Sequence, residues 1–360
     1  MKKKKVYLTL QNGRVFEGYR FGGSGNAVGE LVFNTGMVGY LKTLTDPAYF
    51  GQIVVQTFPM IGNYGVIESE FESDKTHLSA YIVREYCEKP SNFRMEGDLN
   101  SFLEKSGVVG VCGVDTRELT KILREEGTMN AAITDRPLSV EDLARLQSYT
   151  VENAVESVGF TEKKIYKAEC GSYTVALWDF GGKNSTVADL TARGFNVIRM
   201  PAFATAAEIL ALGADGVMLG DGAGDPTKNP AIVEEIKKLL GKLPVFAFGL
   251  GHQLVALAFG GKVQKMKYGH RGGNQPVKYL ESNRVYISSQ NHGYVVENAS
   301  IQEGTVNFVN VNDGTCEGID YPAKNAFSVQ FAPASCSAAG EQNILYDKFI
   351  SLIEKEKKNA

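Results

Sequence analysis

The chain has 360 residues, which is too long for one ordinary hydrophobic core, so its length predicts two domains. Hydrophobic residues make up 43% and charged residues 22%, a composition typical of folded proteins that excludes extensive disorder. The net charge of -3 provides no general attraction to nucleic acid, and no run approaches the roughly 18 apolar residues of a membrane helix. We therefore expect no nucleic acid and no membrane among the partners.

The five cysteines are scattered, and none belongs to a Cys-x-x-Cys pair. Such an odd set is typical of free thiols in a reducing compartment, so we expect a cytoplasmic protein. The four histidines, His77, His252, His270 and His292, show no close metal-ligand spacing. We expect no metal ion and no cofactor bound to this chain.

Short segments with the alternating pattern of strands open the chain, at residues 6–10, 14–19, 30–34 and 53–58. Residues 100–105 and 116–126 carry apolar residues at helical spacing. In the second of these, Leu119, Ile122 and Leu123 share one face, and Gly127 follows as a helix stop. Residues 1–151 are therefore predicted to form a mixed α+β domain.

Residues 152–171 lack a sustained period and are predicted to be a linker to a second domain, residues 172–360. Between residues 174 and 259, short apolar strands alternate with helices. This pattern predicts parallel strands joined by crossovers in an open, mainly parallel α/β sheet. Strand patterns return after residue 260, and an apolar stripe predicts a helix at the end of the chain. Ligands of such sheets bind at the carboxyl ends of the strands.

Residues 244–258 have the pattern of an apolar strand, a tight turn of small residues at Gly249 and a helix. This is the pattern of a nucleophile elbow, in which a strained turn lifts one side chain above the sheet edge. The backbone N–H that follows can help to bind an oxyanion. Glycines also occur at ordinary strand-to-helix junctions, where they only permit close packing, so this pattern alone is weak.

The sequence of this segment resembles the pattern Gly-Ile-Cys-Leu-Gly-His-Gln of class I glutamine amidotransferases. Further matches, in order along both halves, resemble the small, glutaminase-type subunit of carbamoyl phosphate synthetase over nearly the whole chain. These matches are Asn34-Thr35 with Gly39-Tyr40, Leu44-Thr45-Asp46-Pro47, Gly62-Asn63, Ser91-Asn92-Phe93-Arg94, Asp115-Thr116-Arg117-Glu118-Leu119-Thr120, Asp179-Phe180-Gly181, Gly224-Asp225-Pro226, Gly269-His270-Arg271-Gly272-Gly273-Asn274 and Gln290-Asn291-His292-Gly293-Tyr294.

The resemblance implies an amino-terminal small-subunit domain, a class I amidotransferase domain and a Cys-His-Glu triad that hydrolyses glutamine through a thioester. This sequence departs from the family at all three triad positions, which are Gly249, Ala332 and Ala334. Without a thiol, an imidazole and a carboxylate there, we expect no catalytic residues and no glutamine hydrolysis. Cys336 lies near Ala332, but its segment contains no histidine, so it is interpreted as a buried or incidental cysteine.

The resemblance also implies a glutamine pocket and its backbone donors. The matching positions are Gly222, Gly224, Leu250, Gln253, Asn291, Gly293 and Tyr294. Gly249 can retain the elbow turn because glycine accepts a positive φ. The Leu250 N–H and the loop from Gly222 to Gly224 could then present donors to a carbonyl oxygen. Two departures weaken the pocket: residues 220–223 read Gly-Asp-Gly-Ala where the family has Ser-Asn-Gly-Pro, and Ala48 replaces a serine. Glutamine binding is therefore left open.

His252 and His270 are interpreted as structural residues, the first packed on the helix after the elbow and the second in a tight loop anchored by Arg271.

Three functions are compatible with these observations. The first is a non-catalytic small subunit that docks on a large carbamoyl phosphate synthetase subunit in arginine or pyrimidine synthesis. That large subunit would use ammonia and would bind ATP and Mg²⁺, because this chain contains no GxxxxGK[ST] phosphate loop. The second is a glutamine sensor or scaffold for another partner. The third is a working glutaminase with an unrecognised nucleophile.

Overall fold

The computed structural model describes residues 4–336 and 343–359. The chain forms two compact units, residues 1–154 and 155–360. Unit 1 contains the following elements in chain order: β1 (Lys5–Leu10), β2 (Val15–Gly22), β3 (Ala27–Asn34), α1 (Tyr40–Thr45), β4 (Gln52–Gln56), β5 (Met60–Ile61), β6 (Ala80–Ile82), β7 (Glu85–Tyr86), α2 (Leu99–Lys105), β8 (Val109–Cys112), α3 (Thr116–Glu126), β9 (Met129–Thr134) and α4 (Val140–Gln147).

The short helix α5 (Ala154–Val158) begins at the boundary. Unit 2 continues with β10 (Lys164–Tyr166), β11 (Tyr173–Phe180), α6 (Asn184–Ala192), β12 (Phe195–Met200), α7 (Ala206–Leu210), β13 (Gly216–Gly222), α8 (Pro230–Leu239), β14 (Val245–Phe248), α9 (Leu250–Ala258), β15 (Val263–Tyr279), β16 (Val285–Val296), β17 (Thr305–Asn310), β18 (Cys316–Tyr321), β19 (Ala326–Val329) and α10 (Ile344–Asn359).

Unit 1 is built around a closed barrel whose strands follow the order β1-β2-β8-β6-β4-β3-β9. The barrel closes because β1 pairs antiparallel with β2 on one side and with β9 on the other. Helix α3 begins where the sequence predicts it, since the Asp115 side chain accepts a hydrogen bond from the Glu118 N–H at 3.0 Å and so caps the first turn. The mixed α+β character expected of this half is confirmed, but closure into a barrel was not predicted.

Unit 2 contains a ten-stranded sheet with the order β10-β12-β11-β13-β14-β19-β18-β17-β15-β16. The five strands β12, β11, β13, β14 and β19 run parallel to one another. This segment is the open parallel α/β sheet that the strand–helix alternation predicts. Beyond β19 the sheet continues antiparallel through β18, β17, β15 and β16.

Two buried apolar clusters cover the sheet of unit 2. One includes Trp178, Leu219 and Leu254, together with residues of α8 and α9. The other includes Phe246, Phe327 and Phe349, the last of which lies on α10. Because the parallel strands are covered on both faces, they appear in the sequence as continuous apolar runs such as that of β14.

The segment predicted to be a linker, residues 152–171, contains helix α5 and strand β10. Strand β10 pairs antiparallel with β12, so this strand belongs to the sheet of unit 2. The buried Val155 and Val158 of α5 explain why a helix forms here despite the weak sequence pattern. The boundary between the units lies between Ala154 and Val155.

None of the described helices is both long enough and apolar enough to cross a membrane. All five cysteines lie in the described part of the chain, and none forms a disulfide.

Candidate functional site

The elbow predicted at Gly249 lies between β14 and α9, at the carboxyl edge of the parallel sheet. Gly249 has φ 57° and ψ -122°, a conformation that L side chains rarely adopt. Its N–H donates a hydrogen bond to the Val329 carbonyl at 3.1 Å, which fixes the turn against the end of β19. The geometry of a nucleophile elbow is therefore present, with glycine at the position of the nucleophile.

The Asp221 carboxylate lies directly over this elbow. Asp221 stands near the end of β13, the strand next to β14. Its Oδ1 accepts hydrogen bonds from the Gly222 N–H at 2.9 Å and from the Leu250 N–H at 3.2 Å. A Cβ placed on Gly249 would stand 2.1 Å from the same oxygen, so the carboxylate fills the space that a nucleophile side chain would need.

This arrangement differs from the expectation that the Leu250 N–H and the loop at Gly222 present donors to a substrate carbonyl. In the structure both N–H groups donate to Asp221 instead. The sequence carried a signal of this, because Asp221 occupies a position where the family pattern has asparagine. What sequence reasoning missed was the direction in which the side chain points.

Lys183 is a second residue that sequence reasoning missed. Its Nζ lies 3.4 Å from Asp221 Oδ2, and the side chains of the two residues are only 20% and 14% exposed. Opposite charges at this separation and burial attract each other more strongly than an exposed pair does. The lysine thus offsets the charge of the carboxylate that lies over the elbow.

Lys183 owes its position to a loop that is fixed by Asp179 at the end of β11. The Asp179 carboxylate accepts hydrogen bonds from the N–H groups of Gly181 and Gly182. It also pairs with Arg199, and both side chains of this pair are almost fully buried. The Arg199 guanidinium further donates to the Gly182 carbonyl at 3.1 Å. The Asp-Phe-Gly motif at residues 179–181 therefore holds the loop that carries Lys183.

The other two triad positions lie just beyond β19, the strand that pairs with β14. The Ala332 N–H donates to the Ser289 carbonyl at 3.1 Å, and Ala334 belongs to the short 3-10 turn Pro333–Cys336. Ala332 is half-buried and Ala334 is exposed. The carboxyl ends of β13, β14 and β19 are adjacent, so the fold brings the segments of Asp221, Gly249 and Ala332 to one edge.

The remaining residues matched to a glutamine pocket are engaged within the chain. The Gln253 amide nitrogen donates to the Tyr294 carbonyl and to Gln330 Oε1, each at 2.9 Å. Asn291 pairs with Arg271 in the β15–β16 register, and a Cβ on Gly293 would lie 2.9 Å from the Arg271 guanidinium.

Gly224, the last of the matched positions, lies in the turn after β13 and has φ 88°. The structure thus links Gly222 to Leu250 through their shared acceptor Asp221, and it links Gln253 to Tyr294 by a hydrogen bond.

His270, His292 and Glu317 form a buried cluster whose potential ligand atoms lie within 4.8 Å of one another. His270 Nε2 lies 2.9 Å from Asp313, and its Nδ1 lies 3.3 Å from Glu317. Burial lowers the pKa of His270, but the hydrogen bonds to these two carboxylates outweigh burial and raise that pKa to about 9. Sequence spacing gave no hint that these residues meet.

The two carboxylates of this cluster behave differently. Although burial acts to raise the pKa of Asp313, its hydrogen bonds to His270 and Thr315 lower it to about 2, as expected of an ion pair. Burial raises the pKa of Glu317 more than the contact with His270 lowers it. Of the two carboxylates, Asp313 therefore forms the stronger ion pair with a protonated His270. A positively charged imidazole fits a salt-bridge network better than a metal centre, and the absence of a metal stays a prediction.

His252 lies fully buried on α9, and its Nδ1 is 2.8 Å from the Ser328 hydroxyl. Burial lowers its pKa to about 3, so the ring is neutral. These facts agree with the interpretation of His252 as a packed residue. Cys336 is also buried, and burial raises the pKa of its thiol to about 12, which makes it a poor nucleophile near neutral pH.

The fold of unit 2 and its elbow define a class I glutamine amidotransferase domain: residues 176–352 match the family model Glutamine amidotransferase class-I. Residues 8–133 match a second model, Carbamoyl-phosphate synthase small chain, CPSase domain. The chain is 44% identical to the carbamoyl phosphate synthase small chain of Clostridium perfringens, over 96% of this chain and 99% of that one. It is 43% identical to the small chain of Bacillus caldolyticus, over 99% and 98%. The protein belongs to the carbamoyl phosphate synthase small chain family.

Proposed function

We propose that this chain is a small chain that has lost glutamine hydrolysis and acts as the structural or regulatory partner of an ammonia-using large chain. The observation that carries the proposal is the elbow itself. Its apex is Gly249, which has no side-chain nucleophile, and the Asp221 carboxylate lies where such a side chain would stand. Ala332 and Ala334 supply neither a base nor a group to orient one.

The magnitude of the expected loss is large. In serine proteases, removing the nucleophile or the base of a triad lowers kcat roughly a millionfold, and the residual rate over water is about a thousandfold. Backbone donors account for part of such a residual rate, but in this chain those donors are hydrogen-bonded to Asp221. We therefore expect glutamine turnover far below any useful flux.

Exposed apolar residues in unit 1 support a partner. Phe93, in the family-matching segment at residues 91–94, is 96% exposed. Its turn is held by the Arg94 N–H, which donates to the Asn92 side chain at 2.8 Å. Met37 and Val38, beside the matching residues Asn34 and Gly39, are 70% and 82% exposed. Large apolar side chains held on fixed turns are typical anchors of protein interfaces.

The setting follows from this assignment. The partner would be the large chain, which would bind ATP and Mg²⁺ and make carbamoyl phosphate for arginine or pyrimidine synthesis. None of the five cysteines forms a disulfide in the described structure, which favours a reducing compartment such as the cytoplasm. A role as a glutamine sensor or scaffold for another partner remains the second candidate. It is less favoured, because the Gly222 and Leu250 N–H groups donate to Asp221 and the Gln253 amide donates to Tyr294 and Gln330.

The test is reconstitution with the large chain of the same organism at micromolar concentrations, with ammonia and glutamine supplied separately. We expect a complex that makes carbamoyl phosphate from ammonia and not from glutamine. We also expect this chain to release no ammonia from glutamine, whether it is alone or bound to the large chain. Synthesis from glutamine would overturn the proposal. Failure to form any complex would favour the sensor or scaffold.

A further inference from the structure

We propose that the Asp221 carboxylate is an internal ligand of the elbow, and that the donors around it now form a site for a carboxylate instead of an amide. This inference rests on the proposed function, because it concerns the same edge of the sheet. It adds a chemical identity for what the site holds and a reason why glutamine stays out.

The donor set around Asp221 fits a carboxylate. Oδ1 receives two N–H groups, those of Gly222 and Leu250, and Oδ2 faces the Lys183 ammonium at 3.4 Å. The Leu250 N–H belongs to the first turn of the nine-residue helix α9, where partial positive charge favours an anion. Two N–H donors on one oxygen and a cation at the other satisfy an ionised carboxylate on both sides.

A neutral amide would satisfy this set less well. Its oxygen could accept the two N–H groups, but it carries no charge to balance the partly buried Lys183. Its nitrogen is a donor and would face another donor. The charge of Lys183 therefore selects a carboxylate over the side-chain amide of glutamine.

The position of Asp221 also excludes glutamine sterically. A substrate carbonyl oxygen that accepted the Gly222 and Leu250 N–H groups would occupy the space of Asp221 Oδ1. Glutamine could enter only if the Asp221 side chain rotated away and the contact with Lys183 broke. Asp221 is thus a specificity-determining residue of the site.

The experiment vacates the site and offers a carboxylate from solution. In Asp221→Ala the two N–H groups and Lys183 no longer contact this carboxylate, and sodium acetate is the probe, with sodium chloride at the same ionic strength as the reference. The matched control is Asp189→Ala, which removes another partly buried carboxylate of unit 2, one that pairs with Arg193 at 3.1 Å. Binding is followed by the amide NMR signals of Leu250 and Gly222 and by thermal unfolding.

We expect acetate to bind Asp221→Ala at least about tenfold more tightly than the unchanged chain, with shifts of both amide signals and a higher Tm. Neither the unchanged chain nor Asp189→Ala should show this response. Glutamine at millimolar concentration should leave the two amide signals of the unchanged chain in place. Asp221→Asn keeps the shape and tests charge, and it should bind acetate no better than the unchanged chain.

Two results would overturn the inference. One is a folded Asp221→Ala variant, with native NMR dispersion, whose Leu250 and Gly222 signals ignore acetate. The other is glutamine binding to the unchanged chain with shifts of the same signals. Glutamine that binds without ammonia release would refute the internal ligand and leave the proposed loss of hydrolysis intact, whereas ammonia release would refute the proposed function itself.

Discussion

A Cβ on residue 249 would stand 2.1 Å from Asp221 Oδ1, so the glycine at the elbow and the carboxylate above it fit each other as a pair. Any side chain at position 249 requires Asp221 to move, and with Asp221 as it stands only glycine fits. Restoring a nucleophile at this elbow therefore involves a fourth residue besides the three triad positions.

Gly249→Cys, Ala332→His and Ala334→Glu together should restore little glutaminase activity while Asp221 is present. Adding Asp221→Asn restores the family residue and removes the charge that pairs with Lys183, so the side chain can turn away from the Gly222 and Leu250 donors more readily. Loss of one oxyanion donor typically costs about 100- to 1000-fold in kcat, so we expect the fourfold variant to exceed the threefold one by about 100-fold. Ammonia release from glutamine is the measurement.

The single variant Gly249→Cys is the control for this series and should be inactive, because its thiol has no base. Equal activity of the threefold and fourfold variants would show that Asp221 does not obstruct the site. High activity of Gly249→Cys alone would reveal another base.

His270→Gln should destabilise the protein in a pH-dependent manner. The folded-state pKa of His270 is raised to about 9, above the unfolded value of 6.5, so its stabilisation is complete below pH 6.5 and is lost as the pH rises through 9. The difference in the free energy of unfolding between the two proteins should therefore shrink by up to about 3 kcal/mol between pH 6 and pH 9.5. Urea unfolding at several pH values measures it. A difference that does not vary with pH would mean that His270 is neutral in the folded chain.

Asp179→Ala should lower the free energy of unfolding by about 3–5 kcal/mol, because it leaves the buried Arg199 without its carboxylate. The comparison is Glu234→Ala, which breaks the exposed pair with Lys237 and should cost less than about 1 kcal/mol. Asp179→Ala combined with Arg199→Met should recover part of the loss, since no unpaired charge remains buried. Similar costs for Asp179→Ala and Glu234→Ala would contradict the importance given to the buried pair.

Iodoacetamide at pH 8 should label Cys170, which is exposed, and leave Cys336 unmodified in the native protein. Burial raises the pKa of the Cys336 thiol to about 12, so only about one molecule in 10,000 carries the thiolate at this pH. Peptide mass spectrometry reads each site separately, and all five cysteines should react after denaturation. Rapid labelling of native Cys336 would reopen its candidacy as an unrecognised nucleophile.

Phe93→Ala should weaken binding to the large chain by about tenfold or more, as truncation of a buried aromatic anchor commonly does. The matched control is Val140→Ala, because Val140 is 87% exposed in unit 1 but lies outside the family-matching segments. Both variants should fold normally, since neither side chain contributes to the core. Equal affinities of the Phe93→Ala and Val140→Ala variants for the large chain would show that Phe93 does not contribute to the interface.

The sequence by itself determined many of the local elements and the residue types at the triad positions, although it missed helix α5 and strand β10. Helix α3 begins after the cap Asp115 and ends before Gly127, because both signals act within a few residues. The strand, turn and helix around Gly249 were predicted for the same reason. The absence of thiol, imidazole and carboxylate at Gly249, Ala332 and Ala334 needs no coordinates, since it is a matter of residue type.

Only the tertiary structure decided what surrounds the elbow. Lys183 follows β11, Asp221 lies near the end of β13, and Leu250 follows β14, with 38 and 29 residues between them in sequence. They meet because β11, β13 and β14 are parallel neighbours whose carboxyl ends share one edge of the sheet. His270 on β15 and Glu317 on β18 likewise come together only in the folded sheet, where β17 lies between their strands. Local sequence patterns indicate the backbone conformation and the buried face of each segment separately. The direction of the Asp221 side chain depends instead on hydrogen-bond donors that follow neighbouring strands, the Leu250 N–H after β14 and the Lys183 ammonium after β11.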